Sequence, residues 1–167
     1  RDSIFIDDGS TDNSLAKIQS LKNVRYISFS RNFGQTQALI AGVKKARGEF
    51  ISIIDGDLQN DPKDIMLLLE HLKNDNLDIV FSARKERKDN KLRNVLSQVA
   101  NWLARKIYKI QITDLGSALK VFTKDFAGKL ELHGQMHRFI AIIADDLGAK
   151  YTEIEIGHKA RVKGKSK

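Results

Sequence analysis

Asp55 and Asp57 bracket Gly56 at the end of an apolar run, Phe50-Ile51-Ser52-Ile53-Ile54, and Gln59 follows two residues later. Two carboxylates with a glycine between them can turn toward one hard, oxygen-seeking cation. Mg²⁺ or Mn²⁺ is commonly held by one or two carboxylates, with substrate phosphates completing the shell. The competing reading is an acidic turn that caps the helix begun near Pro62. A second acidic cluster, Asp7-Asp8-Gly9-Ser10-Thr11-Asp12, ends another apolar run, Ile4-Phe5-Ile6. Gly9 permits a tight turn there. A carboxylate at that point can accept a hydrogen bond from a ribose hydroxyl or a base N–H; a well-capped helix would use the same residues.

These clusters need elements that bring them together. Ser3–Asp7 has the pattern of a buried strand, and Leu15, Ile18 and Leu21 follow at helical spacing, with Ser10 or Asp12 as cap. A second strand is predicted in Asn23–Ser30, a helix over Gln35–Ala46 with Leu39, Ile40 and Val43 inward, and a third strand over Glu49–Ile54. Pro62 suits the first turn of a helix carrying Ile65–Leu72. A fourth strand spans Leu77–Arg84. Strands alternating with helices in this way argue for an α/β fold with a mostly parallel sheet flanked by helices. Ligands of such sheets lie beyond the carboxyl ends of the strands. That rule places DDGSTD, SRNFGQ, DGDLQND and SARKERK on one rim. Farther on, Lys91–Tyr108 is predicted as a long amphipathic helix with Trp102 beside its apolar stripe. A turn, a short strand and a helix start follow in Thr113–Asp125, then a helix ending near Gly148, then a last strand from Lys150.

The 167 residues suffice for one domain, taken as 1–167. The chain has no cysteine, which excludes disulfides and thiolate metal sites, and no apolar run long enough to cross a membrane. The net charge of +8 is uneven: residues 84–109 carry +7, residues 158–167 carry +5, and the remainder carries −4. Two basic blocks on a slightly acidic body suit an anionic partner such as phosphate, nucleic acid or lipid head groups, or else form solvated faces. The sequence begins without Met directly at a strand and stops on Lys-Gly-Lys-Ser-Lys, as expected of a segment truncated at both ends.

In combination the motifs are more specific. IFIDDGSTDNS followed by SRNFGQTQALIAGVKKARGEFISIIDGDLQ closely resembles the family 2 glycosyltransferases with the GT-A fold. The wording is nearest to the group that transfers sugars to polyprenyl or dolichyl phosphate. TDLGSALKVFTKD is similar to that family's D-x-G-S/C-x-x-K/R-x-F/L element. HRFIAIIADDLGAKYTEIEIGHKARVKGKSK is similar to its closing stretch. The family's opening strand, V-V-I-P-x-Y/F-N-E, has no counterpart here, so a hydrogen-bonding edge is expected to stay open in the sheet. Gly56 stands where alanine is common.

The resemblance implies inverting transfer of a sugar from a nucleotide-sugar, GDP- or UDP-linked, to a polyprenyl phosphate. A saccharide hydroxyl as acceptor, or nucleotide-sugar binding without catalysis, are the alternatives. It implies Mg²⁺ or Mn²⁺ at Asp55, Asp57 and Gln59, and donor contacts from Asp7, Asp8, Gly9, Asp55 and Arg84. Catalytic roles fall on Asp57, Asp114, Arg138 and Arg161, with Asp114 orienting the acceptor, serving as base for a hydroxyl, or only capping a turn. Arg87, His158, Ser166 and Lys167 are expected to bind phosphate or acceptor, since Arg forks suit phosphate geometry. A lipid phosphate is already anionic and needs positioning more than deprotonation. The basic helix around Trp102 would lie on a membrane surface or pack on the sheet. The resemblance implies a place on the cytoplasmic face of a membrane.

Two other classes fit less well. A haloacid-dehalogenase-type phosphatase shares a strand-end D-x-D, but Gln59 stands where Thr or Val is expected. A nucleic-acid module is supported by charge alone, because the basic blocks lack interleaved aromatic residues.

Overall fold

A computed structural model describes residues 2–84, 106, 108 and 110–157. The chain alternates strand and helix: β1 Ile4–Asp7, α1 Ser14–Ser20, β2 Arg25–Ser28, α2 Gln35–Lys45, β3 Phe50–Ile53, α3 Asp64–Asn74 and β4 Ile79–Arg84. After residues 85–109 come β5 Lys120–Thr123, α4 Lys124–Lys129, a 3-10 helix Met136–Phe139, α5 Ile140–Asp146 and β6 Tyr151–Ile156.

β1 and β2 pair in parallel as a two-stranded sheet. The other four strands form a sheet in the order β3-β5-β4-β6. β5 runs antiparallel to both β3 and β4, while β6 is parallel to β4. Three of these strands therefore share one direction and β5 alone is reversed, so the sheet is mixed. Among the described residues, β1 pairs only with β2 and β3 only with β5, so each keeps one unpaired edge.

Alternation along the central strands sorts the core into two layers. Phe81, Ile79, Phe122 and Ile51 face one way, toward Leu39, Ile40 and Val43 of α2 and Ile140, Ala141 and Ala144 of α5. Val80, Leu119, Val121 and Ile156 face the other way, onto Leu68 and Leu72 of α3. Full burial of a side chain such as Phe122 contributes roughly 1.5–3 kcal/mol. α2 links the two sheets: it packs on β1, where Gly42 leaves only van der Waals room beside Ile6, and its apolar residues join the larger core.

Local boundaries shift by a residue or two from the sequence reading. Pro62 lies in the turn before α3 rather than inside it, because Asp61 accepts from the Asp64 amide (3.0 Å) through its carbonyl and from the Lys63 amide (3.0 Å) through its carboxylate. Asp12 accepts from the Ser14 amide at 2.9 Å at the start of α1, whereas the Ser10 amide turns back to Asp7. Gly148, at φ +66°, closes α5 as expected, donating its amide to the Asp145 carbonyl. The predicted helix over Lys91–Tyr108, with Trp102, lies outside the described residues apart from Lys106 and Tyr108, which are helical.

Candidate active site

The turn after β3 and the end of β4 converge on one pocket. Asp55, Asp57, Gln59 and Asn60 line it from the β3 side, Arg84 from the end of β4, and Gly116 and Ala118 from the turn that enters β5. The reversed strand explains why a third segment joins: β5 presents its amino end where its neighbours present their carboxyl ends.

Each charged group is held. The Gln35 side-chain amide, at the start of α2, donates to Asp55 Oδ1 at 3.2 Å. Asp57 accepts from the Gln59 amide at 3.1 Å, which turns the chain sharply. Leu58 occupies the left-handed region at φ +62° with its side chain 67% exposed. A bulky residue in that conformation is strained, and such strain accompanies binding turns. Arg84 forks onto Asp114, Nε to Oδ2 at 2.7 Å and Nη2 to Oδ1 at 2.9 Å. The Gly116 amide also donates to Asp114 at 3.2 Å. Glu153 on β6 fixes the same turn, accepting from the amides of Thr113 and Asp114 at 2.9 Å each. Beneath it, the Ser82 hydroxyl meets the Ser117 hydroxyl and donates to the Leu119 carbonyl at 2.7 Å.

The first acidic cluster forms a neighbouring corner rather than a wall of this pocket. Asp7 is 4% exposed, accepting from the Ser10 amide at 3.2 Å and the Ser28 hydroxyl at 3.0 Å. Bonds from Ser10 outweigh the opposing effect of burial and hold its carboxyl below the ordinary range. Asp8 accepts from the amides of Phe33 (2.7 Å) and Gly34 (3.0 Å), tying the loop after β2 to the end of β1. Gly9 sits at φ +69° against the backbone of Arg31 and Asn32. Asp7 therefore helps build the loop at this corner.

Arg138 is exposed on the 3-10 helix and does not line the pocket. Its neighbour His137 meets the Thr36 hydroxyl through Nδ1 at 2.7 Å. Burial first, then the charges of Arg138 and Lys120, push the imidazole pKa down. Arg87, His158, Arg161, Ser166 and Lys167 lie outside the described residues.

The residues fit a divalent cation in one specific sense. Among the described residues no group of three His, Cys, Asp or Glu side chains could enclose an ion. Two carboxylates and an amide side chain do share the pocket, and Asn60 Oδ1, buried on its lining, has no hydrogen-bond partner. A half-built oxygen set of this kind suits an ion whose remaining ligands arrive with a substrate.

The sequence profile described as Glycosyl transferase family 2 matches residues 2–141. The chain belongs to that family. It has the GT-A fold: glucosyl-3-phosphoglycerate synthase from Mycobacterium tuberculosis, solved with Mn²⁺, UDP and phosphoglyceric acid, superimposes with a TM-score of 0.79. That match has 18% identity, covering 98% of this chain and 61% of the other, and speaks for the fold alone. In sequence, the family 2 chain is 40% identical to dodecaprenyl-phosphate galacturonate synthase of Rhizobium johnstonii, over 98% of its own length and 51% of the relative's. It is 31% identical to undecaprenyl-phosphate 4-deoxy-4-formamido-L-arabinose transferase of Aeromonas hydrophila, over 98% and 52%. The chain thus spans about half the length of the curated relatives it matches.

Several residues lie within the quoted motifs without a role that the motif gives. Gln35, Asn60 and Glu153 gain theirs only from the packing. Lys120 fills the K/R place of the D-x-G-S/C-x-x-K/R-x-F/L element and is also a charged residue inside Ala-Leu-Lys-Val-Phe, where a buried strand calls for apolar ones.

Proposed function

We propose that the protein transfers a sugar from a nucleotide-sugar to a polyprenyl phosphate with inversion at the anomeric carbon, assisted by Mg²⁺ or Mn²⁺, at the cytoplasmic face of a membrane. The observation that carries this reading is the shared pocket of Asp55, Asp57, Gln59 and Arg84, which sets candidate cation ligands beside a guanidinium. The names of the two sequence relatives support the acceptor class.

Asp55, Asp57 and Gln59 would hold the cation, which offsets charge on the departing diphosphate when bound. Gln35 steadies Asp55, and the Asp57–Gln59 turn aims both side chains at the pocket. Arg84, its orientation fixed by Asp114, would present positive charge to the donor phosphate. The acceptor phosphate oxygen forms the new bond to the anomeric carbon as the bond to the diphosphate oxygen breaks, and the electron pair leaves with the nucleoside diphosphate. An anionic nucleophile needs no proton removed, so Asp114, already engaged by Arg84 and Gly116, acts here by positioning rather than as a base. Arg161, Arg87, His158, Ser166 and Lys167 keep their proposed roles toward phosphate and acceptor.

A transfer assay with a panel of nucleotide-sugars and polyprenyl phosphate tests the reading. Sugar on a saccharide hydroxyl instead would overturn the acceptor. Asp57→Ala is expected to abolish metal-dependent binding of a nucleoside diphosphate in calorimetry, and equal binding by the parent with and without metal would remove the cation's role.

A further inference from the structure

Lys120 opens β5 in the centre of the sheet, opposite Ile53 of β3 and Phe81 of β4. It is 7% exposed, between Leu119 and Val121, which are fully enclosed. Lysine is almost never so buried without a paired carboxylate, because an ammonium loses its hydration there. Its ammonium donates to the carbonyl of Ser117 and makes no contact ion pair among the described residues. Charges act on it through space: Asp55 and Asp114 attract it, while Arg84 repels it. Burial lowers its pKa to about 8, which leaves it mostly protonated at neutral pH. Antiparallel pairing fixes the direction of reach. From Lys120, β5 runs back toward Ala118 and Gly116, which line the pocket, as β3 runs forward to Asp55. The bond to Ser117 carries the ammonium toward that rim.

We propose that Lys120 is a positioning residue of the pocket: a fixed buried cation beneath Asp55 and Asp114 that sets the pocket's charge to accept a nucleoside diphosphate. The proposal rests on the functional reading above. Among the described residues at and beneath the pocket, Asp55, Asp57 and Asp114 are negative and Arg84 and Lys120 positive, a balance of one negative charge. A bound divalent ion makes it net positive, which favours the diphosphate. Without the charge of Lys120 the pocket is doubly negative, so it attracts the ion at least as well and, once loaded, is neutral toward the diphosphate. At an effective dielectric of about 20, one unit charge roughly 10 Å from another changes affinity on the order of tenfold. Lys120 also ties the Ser117 turn, so the charge must be separated from the hydrogen bond.

Lys120→Gln keeps a donor for the Ser117 carbonyl without the charge, and Lys120→Met removes both. Calorimetry with Mn²⁺ alone, then with UDP and with GDP in saturating Mn²⁺, gives the answer. Both neutral variants are expected to bind Mn²⁺ at least as tightly as the parent, and to bind the nucleoside diphosphate about tenfold more weakly. A merely structural lysine would be rescued by Gln, and Lys120→Gln with the parent's affinities for both ligands overturns the proposal. A parent that itself binds neither UDP nor GDP in the presence of Mn²⁺ defeats the functional reading, and Lys120's role with it. A second measurement needs no variant: in protein with carbon-13 lysine, the Lys120 Cε resonance is expected to shift on adding Mg²⁺ and the nucleotide that binds, and an unmoved resonance overturns the proposal.

Discussion

Gly9→Ala tests how the rim is assembled. Gly9 has φ +69°, and a Cβ built there falls 2.3 Å from the Arg31 carbonyl carbon, 2.6 Å from the Asn32 nitrogen and 2.7 Å from Arg31 Cα. All three are backbone atoms, so no side chain can swing aside. The left-handed conformation itself costs an L residue about 1–2 kcal/mol. The Arg31–Asn32 loop must also retreat, although Asp8 holds it through the amides of Phe33 and Gly34. Losing one such charge-assisted bond costs about 1.5–3 kcal/mol. The expected loss is therefore about 3–5 kcal/mol. Gly148 supplies the control: its φ is +66°, but nothing lies within 4 Å of an added Cβ. Gly148→Ala should carry the first cost only. At roughly 2–4 °C per kcal/mol for a chain of this size, Gly148→Ala lowers Tm by about 3–5 °C and Gly9→Ala by about 10 °C or more. Gly9→Asn sharpens the test, because asparagine tolerates the left-handed region yet brings the same Cβ. Thermal melts followed by circular dichroism decide it. Equal losses for the two alanine variants, or recovery with Asn at position 9, would refute the steric argument.

Two further outcomes follow from the site's electrostatics. Asp114→Asn removes the ion pair between Asp114 and Arg84; with Asp114 5% and Arg84 16% exposed at the side chain, the loss is expected near 2–3 kcal/mol, and adding Arg84→Met should recover part of it in a double-mutant cycle of denaturant melts. His137 has its pKa lowered in the folded protein, so the unfolded chain binds the extra proton first and stability falls as pH drops below about 6.5. At pH 6 a free histidine is roughly three-quarters protonated, and nitrogen-15 shifts of the His137 ring should report a smaller protonated share than that.

The strand and helix order was legible because apolar runs end on Gly and acidic residues, as in Ile4–Gly9 and Phe50–Gly56. The Asp55–Asp57–Gln59 turn and Arg84 were legible for the same reason, since each closes a strand. What escaped was set by partners distant in sequence. Asp114, read in the sequence as orienting the acceptor, as base or as a turn cap, gains its Arg84 partner only when β4 folds beside it, and Asp7 gains Ser28 only when β2 pairs with β1. The reversal of β5 also escaped, because a short buried strand has the same composition in either direction.

That reversal reaches beyond the pocket. Arg84 ends β4 and Asp114 precedes β5 at the same rim, and their ion pair closes the chain path between them. Everything from residue 85 to 113 therefore departs from and returns to one clasp. Its returning end is not free to vary: Ile110 and Ile112 are buried in the larger core, and Glu153 holds the Thr113 amide at 2.9 Å. The clasp and the core thus share the task of fixing where the chain re-enters the sheet, so a substitution at either one shifts β5 and the pocket wall it carries.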